Sequence, residues 1–150
     1  EVNIIDKIPA MIGVQVEGAA PLQQAIMKKN QWVNLGDVSD SVAEGIVAAE
    51  SYCSPKAVEA IKKSRGKVVV VSDHEIVEAM KNLIEKESIV TEPTSAAAFA
   101  GLKKIYYQRS AEIVVINTGS GMKMLKEITS LITNHDHIND KMKGHYDSTN

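Results

Sequence analysis

The chain has 150 residues, of which 44% are hydrophobic and 24% charged, and its net charge is −2. These values are typical of one soluble globular domain, and they argue against a basic surface for nucleic acid or for an anionic membrane. The single cysteine, Cys53, excludes an internal disulfide and suits a cytoplasmic protein, and no apolar stretch approaches the roughly 18 residues of a membrane span.

The first fifty residues predict one strand and one helix. Residues 11–16 (MIGVQV) are a short apolar strand, and Pro21 suits the first turn of a helix that extends to about Lys29. Residues 30–40 are rich in turn-forming side chains and are interpreted as a loop. Residues 41–50 are compatible with a helix weakened by glycine or with a short strand, and the pattern does not choose between them.

The next segment predicts a helix followed by a buried strand. Ser54 is predicted to cap this helix, with Pro55 as its first residue and Gly66 as its C-terminal stop. The strand follows at residues 67–71, where four consecutive valines indicate burial.

A third helix begins with a capping pattern. Ser72 and Glu75 have the spacing of a capping box, and apolar residues at helical spacing follow as far as Ile84. Asp73 lies just after a strand, as the phosphoacceptor aspartate of a receiver domain does. An acidic side chain is also favoured at the positive end of a helix, and we prefer this interpretation because only Glu17 supplies an acidic group after the first strand.

Two further strands are predicted in the second half, each followed by a helix. Residues 89–90 form a very short strand, and the helix after it starts at Pro93 and includes TSAAAFAGLKKIYY, whose small residues would let it lie close to a sheet or a ligand. Residues 113–116 (IVVI) are an unbroken β-branched run that suits a strand buried on both faces. A last helix extends to Ile132.

The alternation of strands and helices predicts an α/β fold of three layers, with a mostly parallel sheet flanked by helices. Residues 1–132 are assigned to this domain. Residues 133–150 are polar and are predicted to be a flexible tail, whose histidines and aspartates have no rigid element to hold a metal ion. The sequence starts at Glu1 and enters an apolar pattern at once, so we expect it to be a piece of a longer protein.

Two junctions between a strand and a helix carry side chains suited to a ligand. Thr118 is predicted to end a strand, before the glycine-containing turn TGSG and a helix, where backbone N–H groups point outward. Glycine is also common in such turns for geometry alone, and both interpretations stay open at this point. Glu92 and Ser95 are predicted to lie at the same sheet edge; a plain helix start would explain the hydroxyl but not the glutamate.

Four segments, in order, resemble threonine synthase, a pyridoxal-phosphate enzyme of the tryptophan-synthase-β group, also called fold type II. They are IGVQVEGAAP (12–21), VVVVSDHEIVEAM (68–80), TEPTSAAAFAGLKK (91–104) and INTGSGMK (116–123). The resemblance covers residues 1 to about 126 and implies part of the large cofactor-binding domain. It also implies an enzyme that converts O-phosphohomoserine and water to threonine and phosphate, by a γ-elimination followed by a β-addition.

The resemblance implies roles for individual residues. The Thr118 hydroxyl would bond the pyridine nitrogen of pyridoxal phosphate and leave that nitrogen largely unprotonated, which restrains the cofactor as an electron sink. Gly119 and Gly121 would let the backbone pass close to the ring. Glu92 and Ser95 would line the same side of the pocket.

Two parts of the family pattern have no counterpart in these 150 residues. The Schiff-base lysine and the glycine–asparagine loop that holds the phosphate both come, in the family, before the segment that matches Met11. We therefore expect no catalytic residue in this chain, and no activity from the chain alone. The partners implied are the N-terminal part of the same enzyme, a small amino-acid substrate and, in a homo-oligomer, further copies.

The resemblance leaves two alternatives. One is another fold type II lyase or synthase, such as a threonine dehydratase or a cysteate-synthase relative. Serine stands in TGSG where the family often has histidine, and AAESYCS (48–54) departs from a segment that usually contains glycine or proline, so the substrate stays open. The other alternative is a non-catalytic α/β module that assembles with a second chain.

Overall fold

The computed structural model describes residues 7–108 and 110–134. Within this range the chain forms two strands and five α-helices: β1 (Ile12–Val16), α1 (Pro21–Met27), α2 (Ser54–Lys63), β2 (Lys67–Val71), α3 (Asp73–Glu87), α4 (Pro93–Leu102) and α5 (125–134). Short 3-10 turns lie at Glu44–Ile46 and Gly121–Met124, the first of them in the segment that the sequence left open. None of the described helices is long and apolar enough to cross a membrane.

The two strands form a parallel pair along their whole lengths. On one face, Gly13 lies beneath α1 and α2, because a Cβ there would be 3.5 Å from side-chain atoms of both helices. On the other face, Val14 and Val69 contact Gly101 of α4. Helices therefore cover both faces, which confirms the prediction of an α/β fold with a parallel sheet between helices.

The main core lies between the sheet, α3 and α4. The small residues of α4 bring its backbone close to the strands, since a Cβ added to Gly101 would lie only 2.7 Å from Val14 Cγ2. This confirms the predicted purpose of those small residues. The buried cluster consists of Val16, Ala19, Ala43, Val71, Ile76, Ala79, Met80, Ala96, Ala97, Ala100 and Ile128.

The predicted boundaries of α2 are wrong by one residue at its start. The N-cap is Cys53, so Ser54 and Pro55 occupy the first two helical positions. At the end of the helix, the residue with the left-handed backbone conformation is also not the predicted one. The left-handed residue there is Arg65, with φ of +55°, and not Gly66.

Helix α4 is shorter than predicted. It ends at Leu102, whereas the pattern predicted helix as far as Tyr107. Lys103 is the C-cap, and Ile105, Tyr106 and Tyr107 follow soon after, whose β-branched and aromatic side chains lose rotamer freedom in a helix and favour it only weakly. Lys103 and Lys104 are themselves good helix formers, so propensity alone does not set the end of α4 at Leu102.

Two predicted strands are not present among residues 7–108 and 110–134. At residues 89–90 there is only the neighbouring isolated bridge between Thr91 and Ser120. Residues 113–116 have no strand beside them, and Val114 and Ile116 are 88% and 68% exposed instead of buried. A β-branched run becomes a strand only when a neighbouring backbone pairs with its N–H and C=O groups, and the described residues supply no such neighbour.

The predicted division at residue 132 stays a prediction. Helix α5 continues to residue 134, two residues past the predicted end of the domain. The rest of the predicted tail lies outside the described residues.

The predicted capping box at the start of α3 is present. The Glu75 N–H donates to Ser72 Oγ at 3.3 Å, and the Ser72 N–H donates to Glu75 Oε2 at 2.8 Å. Lys104 Nζ lies 2.7 Å from the same carboxylate oxygen. Burial alone would raise the pKa of Glu75, but the hydrogen bonds from Lys104 and Ser72, with the positive charge of Lys104, outweigh it and lower that pKa.

This lowered pKa makes the contribution of Glu75 depend on pH. A carboxyl whose pKa is lower in the folded state stabilises the fold fully above its unfolded value, and the gain is lost as pH falls through the folded value. Glutamine can still accept the hydrogen bond of the capping box, so Glu75→Gln should lose only the charge interactions with Lys104 and the helix end, about 0.5–1 kcal/mol of the free energy of unfolding at pH 7. The difference from the wild type should shrink below the ordinary pKa of 4.5.

Urea unfolding at neutral and at acid pH measures the loss of stability at pH 7 and its decrease at low pH. Glu85→Gln is the matched control on the same helix, because its carboxylate is more exposed and lies 3.9 Å from Lys81. It should change stability little at either pH. An equal loss for Glu75→Gln at both pH values would show that the charge has no part in the cap.

Candidate functional site

The segment that leads into α4 and the turn that leads into α5 lie side by side. The Glu92 N–H donates to the carbonyl oxygen of Gly119 at 3.3 Å, and the Gly121 N–H donates to that of Val90 at 3.1 Å. The two segments run antiparallel where they meet, so they are not two parallel strand ends at one edge. The contacts nevertheless bring together all five predicted site residues: Glu92, Ser95, Thr118, Gly119 and Gly121.

Ser95 and Thr118 join the two segments through their side chains. Their hydroxyl oxygens are 2.8 Å apart, across 23 residues of sequence. Ser95 lies in the first turn of α4 and is only 2% exposed, whereas Thr118 lies at the surface. The pair therefore links a buried hydroxyl to an accessible one.

Glu92 folds over the glycine turn. A Cβ added to Gly119 would lie 2.7 Å from Glu92 Cδ, so the carboxylate can occupy its position only because residue 119 has no side chain. Lys123 Nζ lies 2.7 Å from Glu92 Oε1, although the lysine side chain is 76% exposed. Lys123 is not among the five residues that the sequence predicts for the site. Its position one turn after the glycines was the only signal that could have suggested it.

Thr91 is a second residue that the sequence analysis missed. It is 1% exposed, and its hydroxyl oxygen is 2.6 Å from Asn117 Oδ1 and 3.1 Å from the carbonyl oxygen of Gly119. These contacts hold the backbone of the turn on its buried side. Thr91 directly precedes Glu92, and a hydroxyl beside a candidate ligand residue was the available signal.

A separate cavity of about 410 Å³ lies at the carboxyl ends of β1 and β2, lined by residues that include Glu17, Ser39 and Asp73. None of the five predicted site residues lines it. The Asp73 carboxylate accepts hydrogen bonds from the Ser41 hydroxyl at 2.5 Å and from the Val42 N–H at 3.2 Å. Its oxygens are thus held by protein donors, which agrees with a structural role at the start of α3.

Comparison with known proteins identifies the family. A sequence model described as pyridoxal-phosphate dependent enzyme matches residues 3–119. The threonine synthase of Methanocaldococcus jannaschii is 40% identical over 125 residues, which are 81% of this chain and 31% of that protein. The threonine synthase of Methanosarcina acetivorans is 35% identical over the same shares of each chain.

Solved structures agree on the fold. The processed form of threonine deaminase isoform 2 from Solanum lycopersicum superposes with a TM-score of 0.61 and 28% identity, over 80% of this chain and 35% of that one. A fungal L-serine ammonia-lyase from Rhizomucor miehei gives a TM-score of 0.67 over 86% of this chain and 42% of that one. Its identity is 19%, so that likeness shows the fold alone.

A parallel sheet covered by helices on both faces, with these structural neighbours, defines an α/β domain of the fold type II class. The chain belongs to the pyridoxal-phosphate-dependent enzyme family, whose cofactor is pyridoxal phosphate. It spans about a third of the length of the curated threonine synthases that it matches.

Proposed function

We propose that the chain is the C-terminal part of the cofactor-binding domain of a threonine synthase. The intact enzyme would convert O-phosphohomoserine and water to threonine and phosphate. Identity of 40% to an archaeal threonine synthase supports this substrate class. The observation that carries the proposal is the accessible Thr118 hydroxyl, paired with buried Ser95 in a glycine turn that the family match reaches.

The residues of this site fit one side of the cofactor. A pyridine nitrogen offers a single acceptor, and Thr118 offers a single hydroxyl donor at an exposed position. Gly119 adds no side chain beside that hydroxyl, and the space that a side chain would take is occupied by the Glu92 carboxylate. The Glu92 carboxylate lies on the same turn, where it is paired with Lys123, and would line that side of the ring.

The bound cofactor would supply the electron sink for the reaction. In this proposal, the Thr118 hydroxyl donates to the ring nitrogen and so disfavours its protonation. Gly119 and Gly121 keep the turn close to the ring, and Ser95 and Glu92 line that side. None of these groups forms a covalent bond with the cofactor, and the lysine that does so is expected outside this chain.

The exposed apolar run at residues 113–116 supports a partner that supplies more of the sheet. Its β-branched side chains suit a strand, and Val114 and Ile116 lie open at the surface. We propose that the N-terminal part of the same enzyme covers this run, that the chain alone is inactive, and that the intact enzyme is a cytoplasmic homo-oligomer. Residues 1–132 would be the domain and residues 133–150 a tail.

A chimera tests the proposed function on a whole enzyme. The 125 matched residues of the archaeal threonine synthase that is 40% identical would be replaced by the matching residues of this chain. The chimera should release threonine and phosphate from O-phosphohomoserine. Thr118→Val should lower that rate about tenfold, which corresponds to roughly 1.4 kcal/mol of lost stabilisation.

Thr94→Val in the chimera is the matched control, because Thr94 carries a hydroxyl in the same turn of α4 but lies against Gly45. It should leave the rate within about twofold, since it leaves the Ser95–Thr118 pair intact. Ammonia release from threonine or serine, without threonine formation, would instead favour the alternative of a dehydratase-like lyase.

The chain alone is the second control. With pyridoxal phosphate and borohydride it should gain no stoichiometric adduct on any one lysine, because the lysine expected to carry the cofactor is not in this chain. Lys123 lies nearest to the site through its contact with Glu92, so Lys123→Arg identifies an adduct there. A single, stoichiometric adduct on Lys123 would contradict the proposal.

A further inference from the structure

The contact between Ser95 and Thr118 is separate from the contacts that hold the turn. Backbone hydrogen bonds from Glu92 and Gly121 and the hydroxyl of Thr91 already fix the path of the chain there. Among residues 7–108 and 110–134, the hydrogen-bond partner of the Ser95 hydroxyl is the side chain of Thr118. The pair therefore acts on the direction of one side chain more than on the position of the backbone.

Because Ser95 is buried, its hydroxyl needs the contact with Thr118, and this contact restricts the orientation of the Thr118 side chain. A hydroxyl has one hydrogen to donate and two lone pairs, and a buried hydroxyl needs a partner. Thr118 lies at the surface, where an unpaired threonine side chain can rotate between staggered conformations. A hydrogen bond of 2.8 Å to a buried serine is available in only one of those conformations.

We infer that Ser95 is a positioning residue, which holds the Thr118 side chain in a single rotamer and donates its hydrogen to Thr118 Oγ1. The hydrogen of Thr118 then remains free and points away from α4, toward an acceptor outside the protein. A ring nitrogen is such an acceptor. The identity of this acceptor rests on the proposed function, whereas the orientation of Thr118 does not.

The inference is tested on the chain without any ligand. Three-bond couplings of the Thr118 methyl carbon report its χ1 rotamer in solution. The wild type should show the one large coupling of a single rotamer. Ser95→Ala should reduce it to the averaged value of an exposed threonine. Ser95→Thr, which keeps the hydroxyl, should restore the wild-type pattern.

Thr94→Val is the matched control for a general loosening of α4, because it changes the neighbouring side chain and leaves Ser95 in place. It should keep the wild-type coupling of Thr118. Averaged couplings in the wild type, or an unchanged large coupling in Ser95→Ala, would overturn the inference.

A second measurement covers the case in which Ser95→Ala alters the fold. Thr118→Val should lower the urea midpoint in the wild-type background, because it leaves the buried Ser95 hydroxyl without its partner, and should lower it less in the Ser95→Ala background. Equal effects in the two backgrounds would overturn the inference. Both readouts use the chain alone, so they can fail while the chimera makes threonine, and the reverse also holds.

Discussion

Gly121→Ala should destabilise the chain by about 3 kcal/mol, the upper range for overpacking a buried site. A Cβ at this position would lie 2.7 Å from the carbonyl oxygen of Thr91 and 2.5 Å from Ile128 Cδ1. The first contact is with backbone and the second is with a core side chain that is 3% exposed, so neither can move without cost. Urea unfolding should show the loss, with a fall in Tm of roughly 6–12 °C.

Gly119→Ala is the matched control two residues away. Its added Cβ would lie 2.7 Å from Glu92 Cδ, which is the free end of a flexible side chain. The carboxylate can swing aside and lose only its contact with the exposed Lys123, so the cost should be within about 1 kcal/mol. Similar losses for both variants would show that the junction between the two segments is not packed as described.

This pair of glycines also shows which part of the candidate site has a local signal in the sequence. The turn TGSG and the segment EPTS each combine small residues with hydroxyls directly before a helix, and these signals are local. The four matching segments then placed both in one family pattern. Their meeting in the structure, with Ser95 against Thr118, is a contact across 23 residues that neither segment encodes by itself.

The contacts between the segments could not be predicted in the same way. Thr91 and Asn117 are 26 residues apart, and their 2.6 Å contact depends on how α4 packs on the sheet. The run at 113–116 also depends on residues that are distant in the sequence. Its composition favours a strand, but the predicted strand is absent, because a strand also needs a neighbour and among the described residues none lies beside it.

Helix ends show most clearly the difference between a local sequence signal and the effect of the rest of the fold. The capping box of α3 was predicted because Ser72 and Glu75 are three residues apart and satisfy each other. Ser54 has the same chemistry, but its side-chain oxygen is buried without a hydrogen-bond partner in the described part of the chain, and the cap lies at Cys53. A serine before a proline is thus not enough to locate an N-cap, since the N-cap of α2 makes no side-chain hydrogen bond.

Gly66→Ala should cost about 3 kcal/mol or more, although helix-end chemistry alone predicts a much smaller loss. A Cβ on residue 66 would lie 1.8 Å from the carbonyl oxygen of Met11, which accepts a hydrogen bond from the Lys67 N–H at 3.2 Å. The entry of β1 would have to move away from β2. Gly66 is thus needed for close approach of two backbones, and Arg65 is the residue that takes the left-handed conformation.

Arg65→Gly separates these two explanations, because it changes only the left-handed position. Relief of about 1 kcal/mol of strain at φ of +55° is partly offset by the entropy of glycine, so this variant should be neutral or slightly more stable than the wild type. Urea unfolding of both variants gives the comparison. If Gly66 served only as a helix stop, Gly66→Ala would cost about 1 kcal/mol, the ordinary penalty for a residue that needs a left-handed backbone. A loss several times larger, with Arg65→Gly unchanged, assigns Gly66 to the junction between α2 and the parallel pair of strands.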